Sequence, residues 1–392
     1  MPLLLQRGHL FAIFALVNII RFFESPILKY SMTFNKNTPY NNLPLLPPKE
    51  EIESKEILKK AISANKALAK LVGSGKQLPN QAILINSIGL QEAKLSSEIE
   101  NILTTNDKLY QAFASEKIIT DSNTKEVLHY QEALWEGFQF VKKQELITTN
   151  LIIHLCKIIK ETDAGIRKTT GTKIANSTTG EIIYTPPEGE DIIRAKLKNL
   201  EEYININDEN VDPLIKMAVI HYQFESIHPF HDGNGRTGRI LNILYLLNNH
   251  LLEIPILYLS KYIIDNKTNY YKGLRTVTEK GEWKDWILYI LDAVEQTSLY
   301  TQKKIDGIIA LMQETDLFLK EKASDIYSKE LLEIIFRQPY CKRKFLEDVH
   351  LVKKKTAGVY LAELETIGIL RSIKYGKEKL YINKKLYELL KK

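Results

Sequence analysis

Residues 228–239 read His-Pro-Phe-His-Asp-Gly-Asn-Gly-Arg-Thr-Gly-Arg, a dense run of types that handle phosphate. Gly233 and Gly235 let the backbone fold closely around an anion. Arg236 and Arg239 add two full positive charges on roughly one side of a first helical turn. Asp232 is a hard oxygen ligand suited to magnesium between phosphates. His228, just ahead of the loop, is a residue able to take a proton near neutral pH. A phosphate cradle, a metal carboxylate and a base are the parts of a phosphoryl or nucleotidyl transfer site. Plainer readings compete. Residues 233–238 match the G-x-G-x-x-G fingerprint of dinucleotide sites, but that fingerprint needs a preceding strand and a helix precedes here. His228 and His231 with Asp232 could ligate a metal, although a third soft ligand is missing nearby. His228 alone could be a helix C-cap.

The elements that must position this loop follow from the flanking residues. Asp212 followed by Pro213 is a strong helix start, an N-cap oxygen and then proline at the first helical position. Ile215, Val219 and Tyr222 form a core face up to about Ile227, where Pro229 disfavours continuation. A second apolar helix begins after the loop, so its N-terminus, with unpaired amides and partial positive charge, faces the glycines. From Lys49 to about Leu299 nearly everything has helical periodicity. The exception is residues 168–189, where Gly171, Gly180 and the run Ile182-Ile183-Tyr184-Thr185 predict a β-hairpin. Pro44, Pro47 and Pro48 make the segment before Lys49 an extended arm.

The chain has 392 residues, 44% apolar and 26% charged. These values exclude a mainly disordered, collagen-like or polytopic membrane protein. Two cysteines, Cys156 and Cys341, cannot build a disulfide framework, so a reducing cytoplasm is the expected compartment. The apolar run at residues 10–20 is too short to span a membrane. Residues 1–31 are read as an apolar extension, upstream sequence ahead of a true start at Met32, with a targeting signal or an extra helix as alternatives.

At residues 228–239 the chain resembles the Fic-family signature H-x-F-x-[D/E]-G-N-G-R-x-x-R, with every fixed position matched. His221, Phe224 and Glu225 before it, residues 260–266 and Tyr270-Tyr271 after it, and the hairpin ending Tyr184-Thr-Pro-Pro187 also look like Fic-domain features. The resemblance covers roughly residues 32–299. It implies a mainly α-helical fold with a β-hairpin flap, and protein adenylylation, in which AMP moves from ATP to a Tyr, Thr or Ser hydroxyl and pyrophosphate leaves. In that scheme His228 is the catalytic base and Asp232 holds Mg2+. Gly233, Asn234, Gly235, Arg236, Thr237, Gly238 and Arg239 bind the nucleotide, with Asn266 and Tyr271 beside it. Ile174, Ile182 and Ile183 on the flap would register a target segment by strand addition. The implied partners are ATP and a hydroxyl-bearing protein, the chain itself included, without a membrane; a homodimer stays open. Removal of AMP, and transfer of another phosphate-linked group, are the alternative reactions. A nucleotide-sensing DNA-binding regulator is the rival of another class.

Further upstream, Ser96-Ser-Glu-Ile-Glu100-Asn101 resembles the inhibitory pattern [S/T]-x-x-x-E-[G/N] of the same family. Ser96 and Glu100, four apart, share a helix face. The resemblance implies that Glu100 pairs with Arg239 and occupies the place of the ATP γ-phosphate, as in the N-terminally inhibited class.

The expected organisation is an N-terminal helical region at 32–145, a catalytic core at 146–300, a linker helix at 301–327 and a winged helix-turn-helix at 328–392. Residues 326–392 hold sixteen Lys/Arg against eight Asp/Glu, net +8, so the remainder carries −2 of the total +6. Any anionic partner belongs to this end. Lys353, Lys354 and Lys355 start the expected recognition helix. DNA binding, recognition of a target or of the chain itself, and simple packing are its three candidate roles.

Overall fold

The computed structural model describes residues 34–115, 121–175, 179–206 and 210–391. The readings of residues 1–31 and of a start at Met32 lie outside them. The described helices and strands all lie within Lys36–Lys392.

Residues 36–48 form the expected arm, anchored by buried Leu43 and Leu46. Side chains fix it through its backbone: Lys196 donates to Leu43 O at 2.7 Å, Gln223 to Pro44 O at 2.8 Å, and Asn199 to Leu46 O at 3.0 Å. Helices α1 (Lys55–Gly75), α2 (Ala82–Ile99), α3 (Asn106–Ala114), α4 (Ser122–Gln144) and α5 (Thr149–Lys160) follow. Ser54, Thr105 and Thr148 cap α1, α3 and α5 by accepting a first-turn amide, each worth about 1 kcal/mol. The hairpin forms as expected, with β1 (Ile174–Ala175) antiparallel to β2 (Ile182–Tyr184). Then come α6 (Glu190–Asn205), α7 (Pro213–Ile227) and α8 (Asn234–Asn248).

Helices α7 and α8 are buried nearly all round and pack on each other. Such helices are the centre of a core rather than its surface. Asp212 caps α7, accepting from the Leu214 amide at 2.8 Å, with Pro213 in the first turn. The loop that joins these two helices is therefore held at both ends by the most buried part of the molecule.

Helices α9 (Leu259–Asp265) and α10 (Lys267–Lys280) lead into α11 (Lys284–Lys322). The 39 residues of α11 run unbroken across residue 300, where the sequence reading places a boundary. At 1.5 Å per residue this rod is about 58 Å long; it lies against α1 and α7. The C-terminal segment has α12 (Lys329–Phe336), β3 (Tyr340–Cys341), α13 (Arg343–Asp348), α14 (Lys354–Thr366), β4 (Leu370–Tyr375), β5 (Glu378–Asn383) and α15 (Lys384–Lys391). The sheet is antiparallel in the order β3-β5-β4. This arrangement is compatible with the expected winged helix, with Gly376 at φ +57° in the turn of the wing. The segment packs on α3: Tyr340 donates to Asp107 at 2.6 Å and its ring stacks on Tyr110.

Candidate functional site

Local chemistry shapes the loop between α7 and α8. His228 ends α7 in the left-handed region, φ +48°, its amide donating to Phe224 O at 3.0 Å. For a residue with a β-carbon that conformation costs roughly 1–2 kcal/mol, so neighbouring groups must hold it. The Asn234 side chain clips the loop shut. It accepts from the Phe230 amide and donates to the Phe230 carbonyl, both at 2.8 Å. Gly233, at φ +84°, forms the N-cap of α8 and donates to Asp232 Oδ1 at 2.6 Å. A side chain at Gly233 would be strained there. Gly238 lies against Phe224 and the Glu225 carboxylate, so it serves close helix packing.

Arg239, 1% exposed, projects from the first turns of α8 to the end of α2. Its Nε donates to Ser96 Oγ at 2.7 Å, and its Nη2 to Ser96 O at 2.8 Å and Glu100 Oε1 at 2.9 Å. Burial opposes its charge; Glu100, Tyr270 and Glu225 outweigh that and hold the guanidinium protonated. The end of α2 is capped through its backbone. Asn101 is left-handed at φ +62° and Ile102 donates to Ser97 O at 3.0 Å, the Schellman arrangement. That explains Asn or Gly after the glutamate. The Glu100 carboxylate overhangs the loop glycine: a β-carbon on Gly235 would overlap Glu100 Oε1 and lie 2.9 Å from Arg239 Nη1. An internal carboxylate thus sits over the first turn of α8, where free amides and an arginine would receive an anionic ligand. Beneath, buried Glu92 accepts from the Ser260 amide at 2.9 Å, from the Ser260 hydroxyl, and from Tyr130 at 3.2 Å. Burial raises its pKa and the charge of Arg239 opposes that.

The second arginine has its own carboxylate. Arg236 is 1% exposed and donates to Glu126 Oε1 at 2.6 Å. Lys160 donates to the same oxygen at 2.5 Å and pairs with Asp232 Oδ2 at 2.6 Å. Arg236 Nη2 lies 3.6 Å from Asp232 Oδ1. Burial would raise the pKa of Asp232; Lys160 and Arg236 prevail and keep it below the usual carboxylate range. The Asp232 side chain is 64% exposed at the mouth of the loop. Arg236 Nε and Thr237 Oγ1 are buried without a hydrogen-bond partner among the described residues. Among the described residues no group of three or more His, Cys, Asp or Glu is placed to hold a metal ion. An accessible Asp232 fits Mg2+ when phosphate oxygens complete the shell, the usual way this ion is held.

The His228 ring is half-buried, and burial, with the charge of Arg167, lowers its pKa to about 4. Glu100, the Glu225 carbonyl and Asp232 oppose the shift. At pH 7 the ring is neutral and able to accept a proton. The hairpin is bolted to this corner: Tyr184 donates to Ser226 O at 2.8 Å, and Arg167 reaches both the Pro187 and His228 carbonyls. Ile174, Ile182 and Ile183 are half-buried on the hairpin.

The structure therefore gathers His228, residues 232–239, Ser96, Glu100 and Asn101 at one corner. Tyr271, 45% exposed on α10, is close enough for Glu100 and Arg239 to influence its hydroxyl. Asn266 caps the α9–α10 junction and its amide donates to Tyr262 O at 3.0 Å. Glu126, Lys160, Arg167 and Glu92 escaped the sequence reading. Each is a single charged residue in a helical or loop stretch, and no spacing rule distinguishes it from a solvated one.

Three family descriptions match the chain: "Fic/DOC family N-terminal" over residues 58–139, "Fic/DOC family" over 146–246, and "Protein adenylyltransferase SoFic-like, C-terminal domain" over 311–386. Among curated relatives, a probable protein adenylyltransferase of Aquifex aeolicus is 26% identical over 177 residues, 44% of this chain and 52% of the relative. The protein adenylyltransferase fic-1 of Caenorhabditis elegans is 28% identical over 110 residues, 27% of this chain and 20% of the relative. The matched stretch thus spans about half of one relative and a fifth of the other. A solved Fic family protein from Desulfovibrio desulfuricans superposes with a TM-score of 0.54 at 15% identity, covering 86% of this chain and 98% of that one. That likeness shows the fold.

Proposed function

Since this chain belongs to the Fic/DOC family, we propose that it is a protein adenylyltransferase held in check by Glu100. ATP places its triphosphate over the N-terminus of α8, with Arg236 and Arg239 meeting the β and γ groups. A target hydroxyl, carried on a segment added to the hairpin edge, approaches the α-phosphorus from the side of His228. The neutral imidazole takes the hydroxyl proton as the new oxygen–phosphorus bond forms, and pyrophosphate leaves with the electron pair of the broken bond. Mg2+, held by Asp232 and phosphate oxygens, would offset charge on the departing pyrophosphate. Tyr271 and Asn266 flank the nucleotide. The targets are protein Tyr, Thr or Ser hydroxyls, the chain's own included. Two buried free cysteines suit a reducing compartment such as the cytoplasm.

One observation carries this reading: Glu100 and Arg239 are paired over Gly235, so a carboxylate stands where a phosphate would bind. The experiment is incubation with ATP labelled on its α-phosphate. Wild type should label protein weakly, Glu100→Gly strongly, and Glu100→Gly with His228→Ala at background. Labelled protein that loses its AMP only when Glu100 is present would instead favour the AMP-removing reaction. Absence of label in every variant would sink the transferase reading.

A further inference from the structure

Arg167 lies in the loop between α5 and the hairpin and is 1% exposed, yet its side-chain hydrogen bonds among the described residues go to peptide carbonyls. Its Nε donates to His228 O at 2.8 Å, and its Nη2 to Pro187 O and, at 3.4 Å, to Ile227 O. Its own amide donates to Pro229 O at 2.9 Å. One residue thus grips three consecutive peptides of the base turn and the exit of the hairpin. Its hydrogen bonds go to carbonyls and the charge of nearby Glu188 offsets only part of its burial, a poor device for stability alone. Its neighbour His228 sits in a left-handed conformation that persists only when the surroundings over-determine it. We infer that Arg167 is a positioning residue that locks the base turn to the target-docking hairpin, so that a hydroxyl registered on the hairpin arrives in line with His228. The inference rests on the transferase reading above, because transfer to a docked hydroxyl needs hairpin and base in register. A displacement of about 1 Å between reacting groups can cost about a hundredfold in rate.

The test uses the full chain in the Glu100→Gly background. Arg167→Met should lower label transfer about a hundredfold while ATP affinity changes less than about threefold. Arg167→Lys, which keeps the charge but not the fork, should recover only a small part. The charged groups around the ring are Arg167, Glu100 and Asp232. Arg167→Met should therefore move the acid limb of the pH–rate profile upward, whereas Arg167→Lys, which keeps the charge, should leave the limb in place while transfer stays low. A melting curve and ATP titration exclude an unfolded variant. Transfer within threefold of the parent, or an unmoved limb in Arg167→Met, overturns the inference. If the parent shows no His228-dependent label, the transferase reading itself has failed. The histidine-ring NMR titration of parent and Arg167→Met then decides: an unmoved His228 titration overturns the role of Arg167, and an upward one sustains its grip on the base.

Discussion

Arg239 and Glu100, 139 residues apart in sequence, meet at 2.9 Å over the first turn of α8. Ser96 holds the same guanidinium through both its hydroxyl and its carbonyl. The Glu100 side chain is 38% exposed while that of Arg239 is 1% exposed. The carboxylate is therefore the removable half of the pair.

Removing it should activate. Glu100→Gly is expected to raise self-labelling from α-labelled ATP by at least about tenfold, because Arg239 becomes free for the γ-phosphate. Adding Arg239→Ala should return labelling to the wild-type level or lower. That non-additivity is the mark of a direct pair. Unchanged or reduced label in Glu100→Gly would remove support for the inhibitory reading.

Gly235→Ala separates cradle from latch. A β-carbon there overlaps Glu100 and crowds Arg239. The variant should lose about 1–2 kcal/mol of stability, in the range for overpacking. In the Glu100→Gly background the same substitution should cost less, because its main obstruction is gone. ATP affinity should fall in both backgrounds, since the methyl occupies the anion's approach. Calorimetric ATP titration and thermal melts check both halves, and undiminished affinity would remove the cradle from Gly235.

The base should work well below the usual histidine range. With a pKa lowered to about 4, His228 is neutral above that value and protonates only as pH falls through it. In Glu100→Gly, which lacks one of the groups opposing that shift, kcat/KM for labelling should be nearly flat from pH 8 to about 5 and decline only as pH falls to about 4 and below. His228→Ala should cost about 10²–10⁴-fold. An acid limb centred near 6.5 would show a ring with an ordinary environment.

Both thiols should be inert in the folded chain. Cys156 and Cys341 are buried and free, and burial raises them to about 11 and about 12. Only the thiolate reacts, so iodoacetamide at pH 8 should label neither until denaturant is added. Cys156 Sγ lies against Gly233 and the Asp232 carbonyl. Rapid native alkylation of Cys156 would mean that the loop opens.

Much of the site was legible because its parts are local. Two glycines, two arginines and an aspartate within twelve residues state a cradle; Asp212-Pro213 states the helix before it. Such signals act within one or two turns of backbone, where sequence distance equals physical distance. The β4–β5 hairpin is compatible with the winged helix expected of residues 328–392. The two-residue strand β3 is too short for any period to reveal. Residue 300, the expected boundary, lies inside α11, an unbroken helix that packs on α1 and α7. The ion partners of the loop were set by tertiary structure. Glu126 meets Arg236 across 110 residues, Lys160 finds Asp232, and Arg167 grips His228 O across 61. Many helices of this chain offer glutamates or lysines of the same local character. Which one becomes buried against an arginine depends on how the helices cross, and that is decided by packing of the whole core rather than by any neighbouring residue.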